Sequence, residues 1–332
     1  MTVLVTGASG FVGAAVVRNL LAQGYEVRAL ARHGSPRLNL RDLDVETAIG
    51  DLREPASLKA ALRGCRGLVH AAADYRLWTR NPGELYATNV EGSKTLLRLA
   101  AEAGVERIVY TSSVATLKPT GTAQAADETC EATLADVSGD YQRSKFLAEQ
   151  AVLELVREEA LPAVIVSPTA PIGPGDVKPT PTGRIVFDTA AGRMPAYVDT
   201  GLNVAHVDDV AEGHRLAFES GETGEVYILG GENISLRKIL DIVDELMGQD
   251  RRRLRLPYRV VLPLAQAAEA WARRFGGVPF ATVDGVKMAA KPMFFSSGKA
   301  EGALGYRHRP ARQAIEDALT WFRDHGYLGK AL

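Results

Sequence analysis

Tyr141 and Lys145 stand four residues apart at the start of an amphipathic run, YQRSKFLAEQAVLELVREE. On a helix that spacing puts both on one face. A phenol, with an ordinary pKa of about 10, is a poor base at neutral pH. An ammonium beside it stabilises the phenolate and draws that pKa down. About thirty residues earlier lies a row of hydroxyls, Thr111-Ser112-Ser113. Such a hydroxyl either fixes a substrate oxygen while Tyr141 gives or takes a proton, or satisfies local backbone groups. Asn89 falls inside a helical pattern from Glu84 to Ala103, where propensity disfavours it, which suggests a bonding task.

A proton donor of this kind needs a redox partner, and the first thirteen residues, MTVLVTGASGFVG, supply a place for one. Val3, Leu4 and Val5 predict a short buried strand. It runs into glycines at 7, 10 and 13, and then FVGAAVVRNLLAQG keeps helical spacing up to Gly24. Strand, glycine turn and helix present backbone N–H groups and a positive helix end to an anion, so a dinucleotide pyrophosphate fits over Gly7, Ser9, Gly10, Phe11, Val12 and Gly13. The spacing is G-x-x-G-x-x-G rather than G-x-G-x-x-G.

Tyr25 to Ala31 predicts the second strand, with Arg32 at its end and His33 and Arg37 nearby. An acid at this point reads the ribose 2′-hydroxyl of NAD; an arginine suits the 2′-phosphate of NADP. The expectation is NADP(H) in preference to NAD(H). Residues 46–50 predict a third strand, followed by Asp51 and Leu52. Asp51 either accepts from the adenine amino group, with Leu52 over the ring, or caps a helix at Pro55–Leu62. A fourth strand, Gly67 to His70, runs into Ala71, Ala72 and Ala73, whose small side chains admit a cofactor backbone. His70 reads as a satisfied core histidine. In the loop that follows, Tyr75, Arg76 and Trp78 suit a ring-shaped or anionic ligand or the packing of a lid. Glu106 to Tyr110 predicts the fifth strand.

After Ser167 the strand–helix alternation loosens. PTAPIGPGDVKPTPTGRI predicts an irregular loop over the site, with Lys178 and Arg184 as candidates for a substrate anion or as solvated charges. Ser235 to Met247 predicts an amphipathic helix capped by Ser235. Residues 251–275 place four arginines before an apolar helix that ends in Trp271 and Arg273-Arg274. This stretch reads either as a basic lip of the substrate lobe or as a weak peripheral contact with an acidic membrane surface.

Composition bounds the remaining classes. The chain has 332 residues, 46% hydrophobic and 24% charged, with a net charge of −1. No global field attracts nucleic acid. Two cysteines, Cys65 and Cys130, make neither a disulfide framework nor a metal-ligand pattern. No leader-like segment precedes the first strand and no apolar run is long enough to span a membrane, so a cytoplasmic protein without metal is expected.

Taken together the motifs resemble the extended short-chain dehydrogenases/reductases, in the NAD-dependent epimerase/dehydratase superfamily. TGASGFVG, Asp51-Leu52, His70-Ala71-Ala72, Asn89-Val90-Glu91-Gly92, Thr111-Ser112-Ser113 and Tyr141 to Lys145 carry it, joined by Ser167-Pro168-Thr169, Gly173-Pro174-Gly175-Asp176 and His206-Val207-Asp208-Asp209. The resemblance implies an α/β fold: a Rossmann-type doubly wound parallel sheet over residues 1–166, rejoined by strands after 200, and a smaller substrate-binding lobe mostly from 167–332. It implies Ser113, Tyr141 and Lys145 as catalytic residues, Asn89 in support, and Pro168 and Thr169 along the nicotinamide. It also implies a homodimer built on helices 84–103 and 141–159. The loop ADYRLW, with NVEGSKTLLRLA and YTSSVATLKP, is most similar to the dihydroflavonol-4-reductase-like branch and, inside it, the hopanoid-associated sugar epimerases. The leading expectation is an NAD(P)-dependent oxidoreductase or epimerase acting on a hydroxyl or ketone carbon of a sugar or sugar-like substrate, with the resemblance implying a hopanoid link. Its alternatives are an NADPH-dependent ketone or aldehyde reductase on a non-sugar substrate and a redox-silent NADP-binding sensor or scaffold.

Overall fold

The computed structural model describes residues 1–329, so the end of the lobe predicted to reach 332 lies outside the described residues. In chain order the elements begin with β1 (Thr2–Thr6), α1 (Phe11–Ala22), β2 (Glu26–Ala31), β3 (Glu46–Ile49), α2 (Pro55–Leu62) and β4 (Gly67–His70). They continue with α3 (Gly83–Tyr86), α4 (Ser93–Glu102), β5 (Arg107–Thr111), α5 (Gly139–Glu159), β6 (Ala163–Pro168) and β7 (Ala170–Ile172). Next come α6 (Pro181–Ala190), β8 (Ala196–Tyr197), β9 (Gly201–His206), α7 (Val207–Ser220), β10 (Val226–Leu229) and β11 (Glu232–Ser235). The chain closes with α8 (Leu236–Leu246), β12 (Leu254–Arg255), α9 (Tyr258–Phe275), α10 (Val283–Met288), α11 (Gly298–Leu304) and α12 (Ala311–Asp324).

The main sheet has seven strands in the order β10-β6-β5-β4-β1-β2-β3. Every pairing in it is parallel. Its strands are apolar on both faces because helices cover both. Alternation sorts the side chains: Val3 and Val5 of β1 join one buried cluster with Val16 and Val17 of α1 and Val207 and Val210 of α7. Leu4 faces the other way, into a cluster with Leu58 of α2, Leu96 of α4 and Val152 of α5. The strand order reverses between β1 and β4, and the crevice at their carboxyl ends is where such sheets hold ligands. The doubly wound sheet expected from the sequence is therefore present, and α7 and β10 rejoin it after residue 200.

A three-stranded sheet, β11-β9-β7, carries α6, α8 and α12 around a separate apolar cluster that includes Ile172, Val204, Ile239 and Phe322. The Ser235 hydroxyl caps α8, accepting from the Lys238 N–H at 3.1 Å, as predicted.

Local expectations needed correction in several places. The helix predicted over 84–103 is present from Gly83 to Glu102 but is not α-helical throughout: α3 and α4 are joined by a π-helical segment, Ala87–Gly92, that contains Asn89. The stretch after Ser167 is less irregular than its prolines suggest. Pro171 sits in β7, and Pro181 opens α6 at the first helical turn, where its missing N–H costs nothing. Asp51 does not cap α2, whose preceding residue is Glu54. The carboxylate grips Arg53 instead, at 3.0 Å from both Nε and Nη2.

Candidate active site

The glycine turn is packed to the limit. Gly7 has φ +67°, and a Cβ there would lie 2.8 Å from the Ala72 nitrogen. A Cβ on Gly13 would lie 2.2 Å from the Gly7 carbonyl oxygen. Only glycines allow β1, α1 and the Ala71-Ala72 end of β4 to approach this closely. Gly10, at the start of α1, offers no side-chain cap, so the N–H groups that open the helix remain available to an anion. Asn39 ties this turn to the loop after β7, donating to the Gly175 carbonyl at 2.8 Å and reaching the Gly10 carbonyl at 3.5 Å. Nothing in LNL signals that bridge at the level of sequence.

Arg32 stands just past β2, on the same edge as Asp51, whose carboxyl is held below the ordinary range by Arg53 first and by Arg32 more weakly. Leu52 is buried beneath it. At the far side of the crevice the Ser167 and Thr169 hydroxyls are buried without hydrogen-bond partners. Buried polar atoms without partners are uncommon and point to a missing ligand. The uncapped helix, the side-chain-free cradle and these two hydroxyls all fit an extended dinucleotide.

At the carboxyl end of β5, Ser113 leaves the strand and its Oγ accepts from the Ala115 N–H at 3.1 Å, capping a short 3-10 turn. The Tyr141 phenol faces Ser113, whose hydroxyl favours its ionised form. Lys145, one turn along α5, is buried and donates from Nζ to the Thr111 carbonyl at 2.8 Å. The structure thus brings Ser113, Tyr141 and Lys145 together. It does not show the depressed phenol pKa expected from the sequence. Burial pushes Tyr141 up, and the Ser113 hydroxyl opposes it. Burial also brings Lys145 down to about 8, against the opposing charge of Glu149.

Asn89 has the bonding task its position suggested. Its Oδ1 accepts from the Asp74 N–H at 2.7 Å, and its Nδ2 donates to the Asp74 carbonyl at 2.9 Å and to Ser144 Oγ at 3.0 Å. Ser144 in turn donates to the Tyr141 carbonyl at 2.8 Å. Asn89 therefore fastens the loop after β4 to the first turn of α5. His70 is a core residue, as expected: its Nδ1 meets Thr6 Oγ1 at 2.7 Å and its Nε2 meets Ser93 Oγ at 2.9 Å. Burial, helped by the Lys145 charge, lowers it to about 3, so it is neutral.

Sequence reasoning gave no role to two buried acids, of which Asp176 entered only as part of a motif. Glu149 lies one turn beyond Lys145 and accepts from Thr116 Oγ1 at 3.1 Å. The i, i+4 spacing from Lys145 was the available signal. Asp176 is pushed up to about 6 by burial, although the Thr180 N–H and hydroxyl both donate to it at 2.8 Å.

The proposed substrate residues divide into two sets. Leu77, Trp78 and Leu85 line a cavity with Gly139, Asp140, Arg143, Glu269, Arg273, Val283 and Asp284. The Trp78 indole N–H is buried and unpartnered. Tyr75 is nearly half exposed in the same loop. Arg76 is taken by two carboxylates, Asp74 at 2.5 Å and Glu84 at 3.1 Å. Arg184 sits on α6 with Asp188, 3.4 Å away. Both arginines thus have carboxylate partners, Arg184 in an exposed pair.

The model of the NAD dependent epimerase/dehydratase family matches residues 3–230. The chain belongs to that family. It is an NAD(P)-dependent enzyme of the extended short-chain dehydrogenase/reductase type. It is 44% identical over 328 residues to a putative dihydroflavonol 4-reductase of Synechocystis sp., covering 98% of this chain and 95% of the relative. It is 36% identical over 333 residues to the sterol demethylase protein B of Methylococcus capsulatus, covering 99% and 100%. The solved structure of gox2253 superposes with a TM-score of 0.88 at 50% identity, covering 99% of both chains. Family membership agrees with the doubly wound sheet and the order of its motifs, from the glycine turn to the Tyr–Lys pair.

Proposed function

We propose that this family member is an NADPH-dependent reductase of a ketone or aldehyde carbon on an uncharged, largely apolar ring compound. The observation that carries this reading is the pairing of Arg76 and Arg184 with carboxylates. A nucleotide sugar brings a diphosphate, which calls for uncommitted cations. The cavity at the first turn of α5 offers Leu77, Trp78, Leu85 and Val283, and its two arginines, Arg143 and Arg273, are outnumbered by Asp140, Glu269 and Asp284. The relatives named for a dihydroflavonol reductase and a sterol demethylase support an apolar ring system. Arg32, with no acid at the end of β2, supports NADPH.

In this reading Tyr141 delivers a proton to the carbonyl oxygen while the Ser113 hydroxyl fixes that oxygen. Lys145 holds a positive charge one turn away and, with Thr111, sets the floor of the ribose site. Asn89 keeps the β4 loop and Tyr141 in register. The uncapped start of α1 receives the pyrophosphate, and Ser167 and Thr169 lie along the nicotinamide with Pro168. Bound nicotinamide supplies the hydride. Because a reductase must exchange its cofactor at each turnover, the nucleotide binds reversibly.

The test is to strip the purified protein of nucleotide, titrate it with NADPH and NADH, and follow NADPH oxidation with aromatic and polycyclic ketones. Clear NADPH preference, lost in Arg32→Asp, together with turnover of such ketones is expected. Tightly held NAD, with interconversion of nucleotide sugars and no net NADPH oxidation, would overturn the reading. That outcome would favour the second reading, an epimerase cycle on a sugar-like hydroxyl, to which the family's name also points.

A further inference from the structure

Helix α9 is unusual among the helices because its outward face is apolar. Only Ala265 and Ala272 of its 18 residues are buried. Val260, Leu264, Ala267, Trp271 and Phe275, spaced by three or four residues, all point to solvent. Trp271 is 65% exposed and Phe275 64%. The strip continues past the helix end through Val278 and Phe280, 78% and 83% exposed. Isolated exposed apolar residues are ordinary, but a continuous stripe of this kind marks a contact surface.

The charges around the stripe have one sign. Residues 251–280 contain seven arginines and a single acid, Glu269. Glu269 is turned inward, accepting from the Val283 N–H at 2.7 Å. Arg253 and Arg255 are taken by Asp244 and Asp199, and Arg251 by the Thr189 carbonyl. Of the basic cluster read from the sequence, Arg251 and Arg253 thus turn inward, while the Arg255 pair stays at the surface. Arg252, Arg259 and Arg274 remain exposed, with no carboxylate in ion-pair range among the described residues. Arg274 lies over the Phe275 ring, 5.3 Å from its centroid, and Trp271 packs on Phe275 at 4.3 Å. The outer surface therefore combines aromatic and aliphatic groups with arginines and presents no carboxylate of its own.

The geometry points to an anionic lipid bilayer as the partner of this surface: α9 and the 276–280 turn lie in the headgroup region, aromatic side chains inward and Arg252, Arg259 and Arg274 on lipid phosphates. An interfacial helix binds by this combination of buried apolar area and basic residues. No helix among the described residues is long and apolar enough to cross a membrane, so the contact is peripheral. The surface also adjoins a cavity at the start of α5. Arg80, in the loop that carries Trp78, donates to the Ala272 carbonyl at 3.0 Å, and the inner face of α9 contributes Glu269 and Arg273 to that cavity, which Asp140 and Arg143 line from the other side. Docking would bring the mouth of that cavity to the lipid surface whichever carbonyl compound is reduced.

The test is co-sedimentation of the full chain with phosphatidylcholine vesicles, with and without phosphatidylglycerol, read alongside Trp fluorescence. Expected are binding that requires phosphatidylglycerol, a blue shift of the emission, and weakening as salt is raised. Trp271→Glu/Phe275→Glu should cut partitioning at least tenfold while leaving circular dichroism and thermal midpoint unchanged. Arg259→Glu/Arg274→Glu should do the same through charge alone. Absence of wild-type binding would overturn the inference. So would a concentration-dependent dimer formed without lipid and abolished by Trp271→Glu/Phe275→Glu, which would assign the stripe to a second copy of the chain.

Discussion

At the scale of single residues, the site is governed by burial. Lys145 near 8 and a phenol above its ordinary value make charge on Lys145 the quantity that pH controls. His70 is neutral there and Tyr110 is pushed far up by burial, so neither competes; Glu149 is the acid that opposes the loss of the ammonium. Activity that needs the ammonium is expected to fall as pH rises through about 8. Removing the Glu149 charge disfavours the ammonium further, so Glu149→Gln should move that alkaline limb to lower pH in a kcat/KM profile. An unmoved limb would mean that Lys145 does not feel Glu149. Tyr141→Phe is expected to lower kcat by about 10²–10⁴-fold, the usual worth of a positioned proton donor. Its NADPH affinity, read by fluorescence titration, should stay close to wild type. Trp78→Phe removes an indole N–H that lacks a protein partner. If a substrate oxygen satisfies that group, KM should rise while the thermal midpoint holds.

The elements explain both what could be read in the sequence and what could not. Strand β1, the glycine turn and α1 were legible because each local signal agrees with the others: β-branched residues, glycines where a Cβ cannot fit, then helical periodicity. Gly13→Ala tests how tight that agreement is. A methyl 2.2 Å from the Gly7 carbonyl should cost about 1–3 kcal/mol in stability, measured by urea unfolding, and weaken cofactor binding with it. The π-helical segment around Asn89 was not legible, because a one-residue widening leaves no compositional mark; only the misfit of an asparagine hinted at it. Nor does the basic run at 251–255 show in sequence which arginine turns inward: Arg252 and Arg255 are exposed, whereas Arg253 reaches Asp244, where both side chains are almost fully enclosed. Removing one partner of such a pair strands the other, so Arg253→Met should destabilise by about 3–5 kcal/mol, much of it recovered by adding Asp244→Leu. Two-state urea curves for the three variants decide it.

Over the whole molecule, two buried histidines contribute to the acid limit. His70 and His214 are lowered to about 3 and about 4 by burial, against an ordinary value of 6.5. Between those values the unfolded chain binds more protons than the folded one. Their contribution is complete above about pH 6.5 and is lost as pH falls toward 4. Thermal midpoints measured from pH 7.5 to 4.5 should therefore drop, and less steeply in His70→Asn; parallel curves would exclude His70 as a cause.

The return of β10 to the edge of the main sheet has its own consequence for how the chain is made. Until residues 226–229 have left the ribosome, the last strand in place is β6, whose six residues are all buried in the finished protein. Its outward row of amide and carbonyl groups waits unpaired, an adhesive border between neighbouring nascent chains. The cluster under that sheet also takes in Ala300, Leu304 and Tyr306, contributed some eighty residues later. The nucleotide half thus draws part of its core and its last strand from later in the chain, and a truncation ending at Pro168 is expected to pellet where the full chain stays in the supernatant.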